Sequence, residues 1–334
     1  MTNGSKAVDS GARVVESEIR NGVGILFFEN APYHYMDDGL IDMIEQEFDK
    51  LHARKNVRVI VLANSKPGFF ITHYSLPNIK DATSLFGWMV RSGLPARYVV
   101  RPAMAVARRV FALRHLPVLR LLFQGLKRTR LGGTLVYAQV NGFITKLRRS
   151  SKPVIAAIGG NAQGIGMEIA LACDFRIMAR GPYYLTQIES LVGLIPGSGG
   201  AQHLARTIGS AKALELAMLG TRLDAEAALQ HGLVYSAVAP DELMSSVQTL
   251  GEQLALRSPE SLEHIKRSDH FGQDRSFEEG LRIDEFGFLM CSATQTAALA
   301  FEEYDKSLRA GNTINSTFEM LAQTDINLIS RSSQ

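Results

Sequence analysis

The sequence predicts an α/β protein with a mixed or parallel sheet and a helical C-terminal region. Three observations carry this reading. The chain opens in β-β-α-β order over residues 14–62; a strand, a glycine-rich turn and a helix follow one another over 153–173; and from Ser258 the apolar spacing is helical.

Composition permits such a fold. The chain has 334 residues, 46% of them hydrophobic and 21% charged, as in ordinary globular proteins. Its length suits one large domain or two small ones at roughly 100–200 residues per domain. Two cysteines, Cys173 and Cys291, both in apolar runs, give neither a disulfide framework nor a zinc spacing, and the eight histidines are scattered. No metal site is expected. Met1–Arg13 is polar, without the apolar core of an export signal, and no run approaches the ~20 apolar residues of a spanning helix. The expectation is a cytoplasmic, metal-free protein.

Val14–Ile19 and Val23–Phe28 flank Asn21-Gly22, the dipeptide that best tolerates positive φ, and read as a hairpin. Leu40, Ile41, Ile44, Phe48 and Leu51 fall at helical spacing. Val57–Leu62 is an apolar run bounded by turn formers, which suits a buried strand. A loop, Ile71–Pro77, follows. Residues 97–131 read as two or three short amphipathic helices interrupted by Pro102, Pro117 and Gly125, with a further helix from about Thr134 to Arg149. Pro153–Ile158 reads as a strand, Gly159–Gly166 as a turn, and Met167–Cys173 as a helix. Strands are expected at Phe175–Ala179, Tyr183–Thr186 and Leu233–Tyr235, with a short helix at Asp224–Gly232. Ser258-Pro259 supplies a helix cap, Ser276 and Glu279 have capping-box spacing, and the helical pattern runs to about Ala310. Residues 1–12 and 311–334 read as flexible tails.

The net charge of +3 conceals an uneven layout. No acidic residue occurs between Asp81 and Glu168, an interval with 14 Arg and Lys; the remaining 22 basic residues face 33 acids, a balance of −11. The basic middle therefore calls for an anionic partner: phosphate, lipid headgroup, nucleic acid or an acidic neighbouring subunit.

Two carboxylates stand out. Glu168 is the sole ionisable residue between Lys152 and Asp174. Either it is a first-turn glutamate favoured by the helix dipole, or its burial raises its pKa and makes it a base usable near neutrality. Before it, Gly164-x-Gly166 opens a helix, where backbone N–H groups are accessible to a ligand oxygen and suit an oxyanion. Glu189 is likewise isolated, ahead of the turn Pro196-Gly197-Ser198-Gly199-Gly200. Two lone carboxylates, each beside a glycine-rich turn, have the look of an acid/base pair; a surface position for either is the alternative. Neither GxGxxG nor GxxxxGK[ST] occurs, so a nucleotide reading has little support.

The stretch Lys152–Asp174, with Asn161-Ala-Gln-Gly-Ile-Gly-Met-Glu168 at its centre, resembles the central signature of the crotonase (enoyl-CoA hydratase/isomerase) superfamily. Gln187–Gln202 resembles that family's second motif at the proper distance. The resemblance covers roughly residues 13–80 and 134–310. It implies a spiral of repeated ββα units over 13–255 carrying a basic helical insertion at about 81–133, then a C-terminal helical region, 256–310, that builds trimers or dimers of trimers. It implies an acyl-CoA thioester as ligand and no separate cofactor, the coenzyme A being part of the substrate. The thioester oxygen would take hydrogen bonds from the backbone amides of His73 and Ile165. Tyr74, Leu76, Asn161, Gly164, Gly166, Pro196 and Gly197 would line the substrate.

Members with glutamate at both motif positions resemble hydratases. In that scheme Glu168 activates water for attack at the β-carbon and Glu189 exchanges the α-proton, so the resemblance implies hydration of a 2-enoyl-CoA. The alternatives are another reaction of the same scaffold (isomerase, hydrolase or C–C lyase) or a weakly catalytic member that binds membrane or RNA through its basic insertion. The first loop departs from the family's small-Gly-x-Asp-Leu pattern: His73 and Tyr74 either narrow the acyl entrance or pack beside the adenine end. Asn161, Gln163 and Thr186 either bind an unusual acyl group or satisfy backbone groups. The insertion is a solvated cover over the entrance, a set of contacts to CoA phosphates, or, through residues 91–131, a peripheral membrane contact. With few aromatics and no RNA module, nucleic acid is not the expected partner.

Overall fold

The computed structural model describes residues 13–325, apart from Leu94, Arg114, His115, 117–120, Leu122, Gln124 and 128–131. The 1–12 tail, the end of the chain from residue 326, Pro117 and the bases Arg114, Arg120, Arg128 and Arg130 lie outside the described residues.

The hairpin forms as expected. β1 (Arg13–Arg20) pairs antiparallel with β2 (Val23–Asn30) across Asn21 and Gly22, at φ 49° and 80°. α1 (Asp38–Ala53) starts at Asp37, whose carboxylate accepts from the Leu40 amide at 2.8 Å and is held by Arg13. β3 (Val59–Asn64) and β4 (Gly68–Phe69) precede α2 (Leu76–Arg91), α3 (Ala96–Ala112) and α4 (Gly132–Arg149). Then come β5 (Val154–Ile158), β6 (Gly160–Gln163), α5 (Ile165–Ala172), β7 (Phe175–Ala179) and β8 (Leu185–Thr186). A 3₁₀ turn at Glu189–Val192 leads to α6 (Gly200–Ile208), α7 (Ser210–Leu219), α8 (Ala225–Gln230) and β9 (Ser236–Val238). The chain continues through α9 (Leu243–Ala255), α10 (Pro259–Gly272), α11 (Phe277–Ser292), α12 (Gln295–Arg309) and α13 (Ile314–Gln323).

The odd-numbered strands build one sheet in the order β1-β2-β3-β5-β7-β9, with β2 joining it; beyond the hairpin every pairing is parallel. β4, β6 and β8 form a second, small parallel sheet. Each turn of the chain thus gives a long strand to one sheet, a short strand to the other and then helix, the repeated ββα spiral. Both faces of the large sheet are covered. Ile60, Leu62, Ala156 and Ile158 pack toward α1, α4 and α5, while Val59, Val61, Ile155 and Ala157 pack toward Leu243 and Val247 of α9. Burial on both sides explains why these strands read as continuous apolar runs.

The structure corrects several expectations. Gly160–Gln163, read as turn, is a strand: a Cβ on Gly160 would lie 1.9 Å from the Gly68 carbonyl oxygen, so only glycine lets β4 and β6 approach. The Tyr183–Thr186 strand shortens to two residues. Leu233 and Val234 are not strand, because both amides fold back on the Ala228 carbonyl, and β9 begins at Ser236. Pro102 does not end a helix. It sits in the second turn of α3, which continues past the one forfeited backbone bond. Helix α2 begins at Leu76, and part of the expected C-terminal tail is helix α13, capped by Thr313. The capped starts at Ser258 and Ser276 are present.

Candidate active site

α5 is eight residues long and buried throughout, and Glu168 is its fourth residue. Its side chain points to the turn before α6. Oε1 accepts hydrogen bonds from the amides of Ser198 at 2.7 Å and Gly200 at 2.9 Å. Burial, at 3% exposure, pushes the carboxyl up to about 7, aided by the charge of Glu189 and opposed by the two amides. The structure therefore places Glu168 in the interior, as the base-like reading requires, and not on a solvated helix face.

Glu189 opens the 3₁₀ turn. A Cβ built on Gly164 would fall 2.9 Å from its Oε1, which places this carboxylate against the turn that starts α5. Oε2 is buried and hydrogen-bonds to nothing among the described residues. Burial raises this carboxyl too, against the pull of the Ile188 and Glu189 amides. Gln187, two residues earlier, is wholly buried with neither side-chain polar atom paired among the described residues. Its Nε2 and the Cγ of Glu168 lie 2.5 and 3.0 Å from a Cβ built on Gly200. An unpaired buried amide costs about 1–3 kcal/mol, a penalty tolerated where a ligand or water completes its bonds.

The first loop reaches the same place. A Cβ on Gly166 would lie 1.9 Å from the Ile71 carbonyl oxygen, and the Gln163 amide donates to that oxygen at 3.1 Å. The loop is fixed further by Met36 N–H to His73 O at 2.7 Å and Thr72 N–H to His34 O at 3.0 Å. Among the described residues nothing accepts from the amides of His73 or Ile165. His73 itself is half-buried, with Nδ1 3.1 Å from Thr72 Oγ1, and burial lowers its pKa.

The sequence-predicted lining residues divide. Gly164, Gly166, Pro196 and Gly197 belong to the two turns that meet around the glutamates. Tyr74 donates its hydroxyl to Asp38, tying the loop to α1, and burial together with Asp38 raises its pKa. Asn161 accepts the Tyr184 amide at 3.0 Å, and Thr186 donates to Gly220 O at 3.0 Å, so both satisfy backbone groups. Leu76 is exposed at the start of α2.

Two contributors escaped the sequence reading. Tyr137, on α4, donates its hydroxyl to the Gly197 carbonyl and feels the charges of Glu168 and Arg108; burial raises its pKa. Sixty positions separate the partners, and no local pattern announces the contact. Gln187 carried a signal, its place in the second motif, without an assigned role. Among the described residues no cluster of three His, Cys, Asp or Glu side chains is arranged to hold a metal ion.

Comparison with known proteins accords with this geometry. A family model described as enoyl-CoA hydratase/isomerase matches residues 130–306. A probable enoyl-CoA hydratase of Rhizobium meliloti (strain 1021) is 38% identical over 144 residues, 43% of this chain and 56% of that protein. The carnitinyl-CoA dehydratase of Salmonella arizonae is 38% identical over 146 residues, 44% of this chain and 56% of that one. The chain thus spans little more than half the length of these curated relatives. The solved enoyl-CoA hydratase of Bacillus anthracis shares the fold, with a TM-score of 0.67 at 22% identity over 88% of this chain and 96% of that one.

Proposed function

Since the chain belongs to the enoyl-CoA hydratase/isomerase family, we propose that it adds water across the 2,3 double bond of a 2-enoyl-CoA thioester. The observation that carries this is the pair of carboxyls beside the Gly164 turn, Glu168 buried and Glu189 half-buried with its Oε2 inside, both raised in pKa by burial.

Hydration needs one ionised and one protonated group, and mutual repulsion favours a pair that keeps a single proton near neutrality. Ionised Glu168 takes a proton from water as the hydroxyl oxygen bonds to the β-carbon. Electrons of the double bond move onto the thioester oxygen. Protonated Glu189 then gives its proton to the α-carbon, and solvent returns a proton from Glu168 to Glu189 before the next turnover. The Ser198 and Gly200 amides hold Glu168 by one oxygen, leaving Oε2 outside that pair of bonds. The amides of His73 and Ile165 receive the enolate oxygen, and each such donor is worth about 2.7–4 kcal/mol in comparable oxyanion sites.

Phe277, Phe286, Phe288 and Leu289 of α11 and Phe301 of α12 are exposed in the single chain, which supports assembly through the C-terminal helices into a trimer or dimer of trimers. Crotonyl-CoA hydration by Glu168→Gln and Glu189→Gln tests the reaction. Each variant should lose about 10²–10⁴-fold in kcat, the usual worth of a positioned acid or base. Undiminished turnover in both ends the proposal. Loss of hydration by Glu168→Gln with double-bond migration retained would mean an isomerase.

A further inference from the structure

The structure sorts the basic middle of the chain into two groups. Some bases are anchored: Lys127 pairs with Asp42 at 3.1 Å, Lys146 with Glu45 and Asp49 at 2.8 Å, and Lys152 Nζ is held by the carbonyls of Leu51, His52 and Arg54. Arg148 donates to His203 and to the His270 carbonyl, and Arg149 lies over the Phe271 ring. Arg91, Arg101, Arg108 and Arg109 are different. All four are exposed, and none is ion-paired among the described residues.

Three of these four lie on α3, whose inner face buries Ala107 and Phe111 against Leu135 and Ala138 of α4. Its outer face carries two stripes. Val99, Val106 and Leu113, spaced by seven residues, run along one flank and are all exposed, Val106 at 57%. Arg101 and Arg108, also seven apart, run along the other, with Arg109 between the stripes. At the end of α2, Trp88 is 56% and Val90 64% exposed. The sequence from 82 to 167 offers no acid to neutralise this surface.

We propose that the outer face of α3, together with the end of α2, docks on the surface of an anionic lipid membrane. Valine, leucine and tryptophan side chains interleaved with unpaired arginines match a headgroup layer that is anionic outside and apolar just beneath. None of the described helices is long and apolar enough to cross a membrane, so the contact lies on the bilayer. Nucleic acid fits less well. A single strand is gripped by stacking on a row of aromatic faces, and this patch offers two exposed rings, Tyr98 and Trp88, beside its valines and Leu113.

Trp88 is the chain's single tryptophan and reports directly from the surface. The full chain is mixed with vesicles of phosphatidylcholine alone, or with phosphatidylserine added, and followed by flotation and tryptophan emission. Expected are binding to the anionic vesicles that weakens with salt, and a blue shift of Trp88. Reversing Arg91, Arg101 and Arg109 to Glu together should lower the partition by at least two orders of magnitude, roughly fivefold for each positive charge lost before the added repulsion. Val99→Ser with Val106→Ser should weaken it by about tenfold. Arg108 is left intact because its charge reaches Tyr137. Crotonyl-CoA turnover without vesicles should stay at the parent level in both variants. Absence of binding to phosphatidylserine vesicles at low salt overturns the proposal, as does a triple reversal that partitions like the parent. Capture by an oligonucleotide that vesicles do not compete away assigns the face to nucleic acid instead. A fall in the protein's solution mass on triple reversal assigns it to contacts between copies.

Discussion

Gly164 and Glu189 occupy one another's space: the glycine has φ 51°, and a Cβ there would stand 2.9 Å from Glu189 Oε1. One residue thus positions both halves of the proposed chemistry, since it also precedes the Ile165 amide. Gly164→Ala should cost about 1–3 kcal/mol of stability from backbone strain and shift the carboxylate. The expected kinetic result is a fall in kcat of about a hundredfold, with folding checked by circular dichroism. A variant with parent kcat would show that Glu189 does not work from this position.

Burial of Glu168 predicts a trade between activity and stability. Its pKa rises from 4.5 to about 7 on folding, so the folded chain binds this proton more tightly than the unfolded chain. The penalty is therefore absent below about pH 4.5 and fully present once pH passes about 7, where it amounts to about 3 kcal/mol. Glutamine keeps an oxygen for the Ser198 and Gly200 amides without the charge. Glu168→Gln should then be more stable than the parent in urea at pH 8, with the gap closing on acidification. An unchanged gap across that range would place the carboxylate in a solvated setting.

How legible all this was in the sequence depended on distance along the chain. The hairpin declared itself through Asn21-Gly22, and Glu168 through a lone charge in an apolar run. β4 and β6 did not, because Gly160 and Asn161 have no strand preference, and their pairing exists because Gly160 lets the Gly68 carbonyl come close; β8 was legible, as part of the longer run Tyr183–Thr186. Tyr137 and the Gly197 carbonyl meet across 60 positions, so their contact is a product of packing α4 onto the spiral. Tyr74 and Asn161 were legible as polar residues near the motifs, but their partners, Asp38 and the Tyr184 amide, were not.

Tyr137 is a positioning residue, since Gly197 precedes the Ser198 amide that holds Glu168. Tyr137→Phe should lower kcat by about tenfold with KM little changed, the worth of one hydrogen bond to the turn. A merely structural role would leave the pH profile where it is. Loosening the Ser198 amide instead moves the Glu168 limb of the kcat profile upward from about pH 7.

His203 gives the opposite sign to Glu168. Arg148 Nη1 lies 2.9 Å from its Nε2, and because arginine only donates, the imidazole must be neutral with its proton on Nδ1. Burial, then Arg148, lowers its pKa from 6.5 to about 4. The stability tied to neutral His203 is thus complete above about pH 6.5 and disappears as pH falls toward 4. His203→Gln, which keeps an acceptor for Arg148, should flatten the dependence of the urea midpoint on pH over that window. Parallel curves for parent and variant would mean that other groups drive the acid loss.

Lys266 fastens α10 to the spiral next to the proposed catalytic helix. Its buried Nζ bonds to Asp174 Oδ2 and to Leu147 O, each at 2.8 Å, while the same Asp174 oxygen accepts the Val154 amide at 2.7 Å. Lys266→Met leaves Asp174 with only the Val154 amide and His270 and should destabilise the chain by about 3–5 kcal/mol, as when one partner of a buried ion pair is removed. Adding Asp174→Asn removes the stranded charge while keeping an acceptor for Val154, so the double variant should recover a large part of that loss. Equal instability in the single and double variants, measured by urea unfolding, would mean that packing of the lysine stem, and not charge, holds α10 in place.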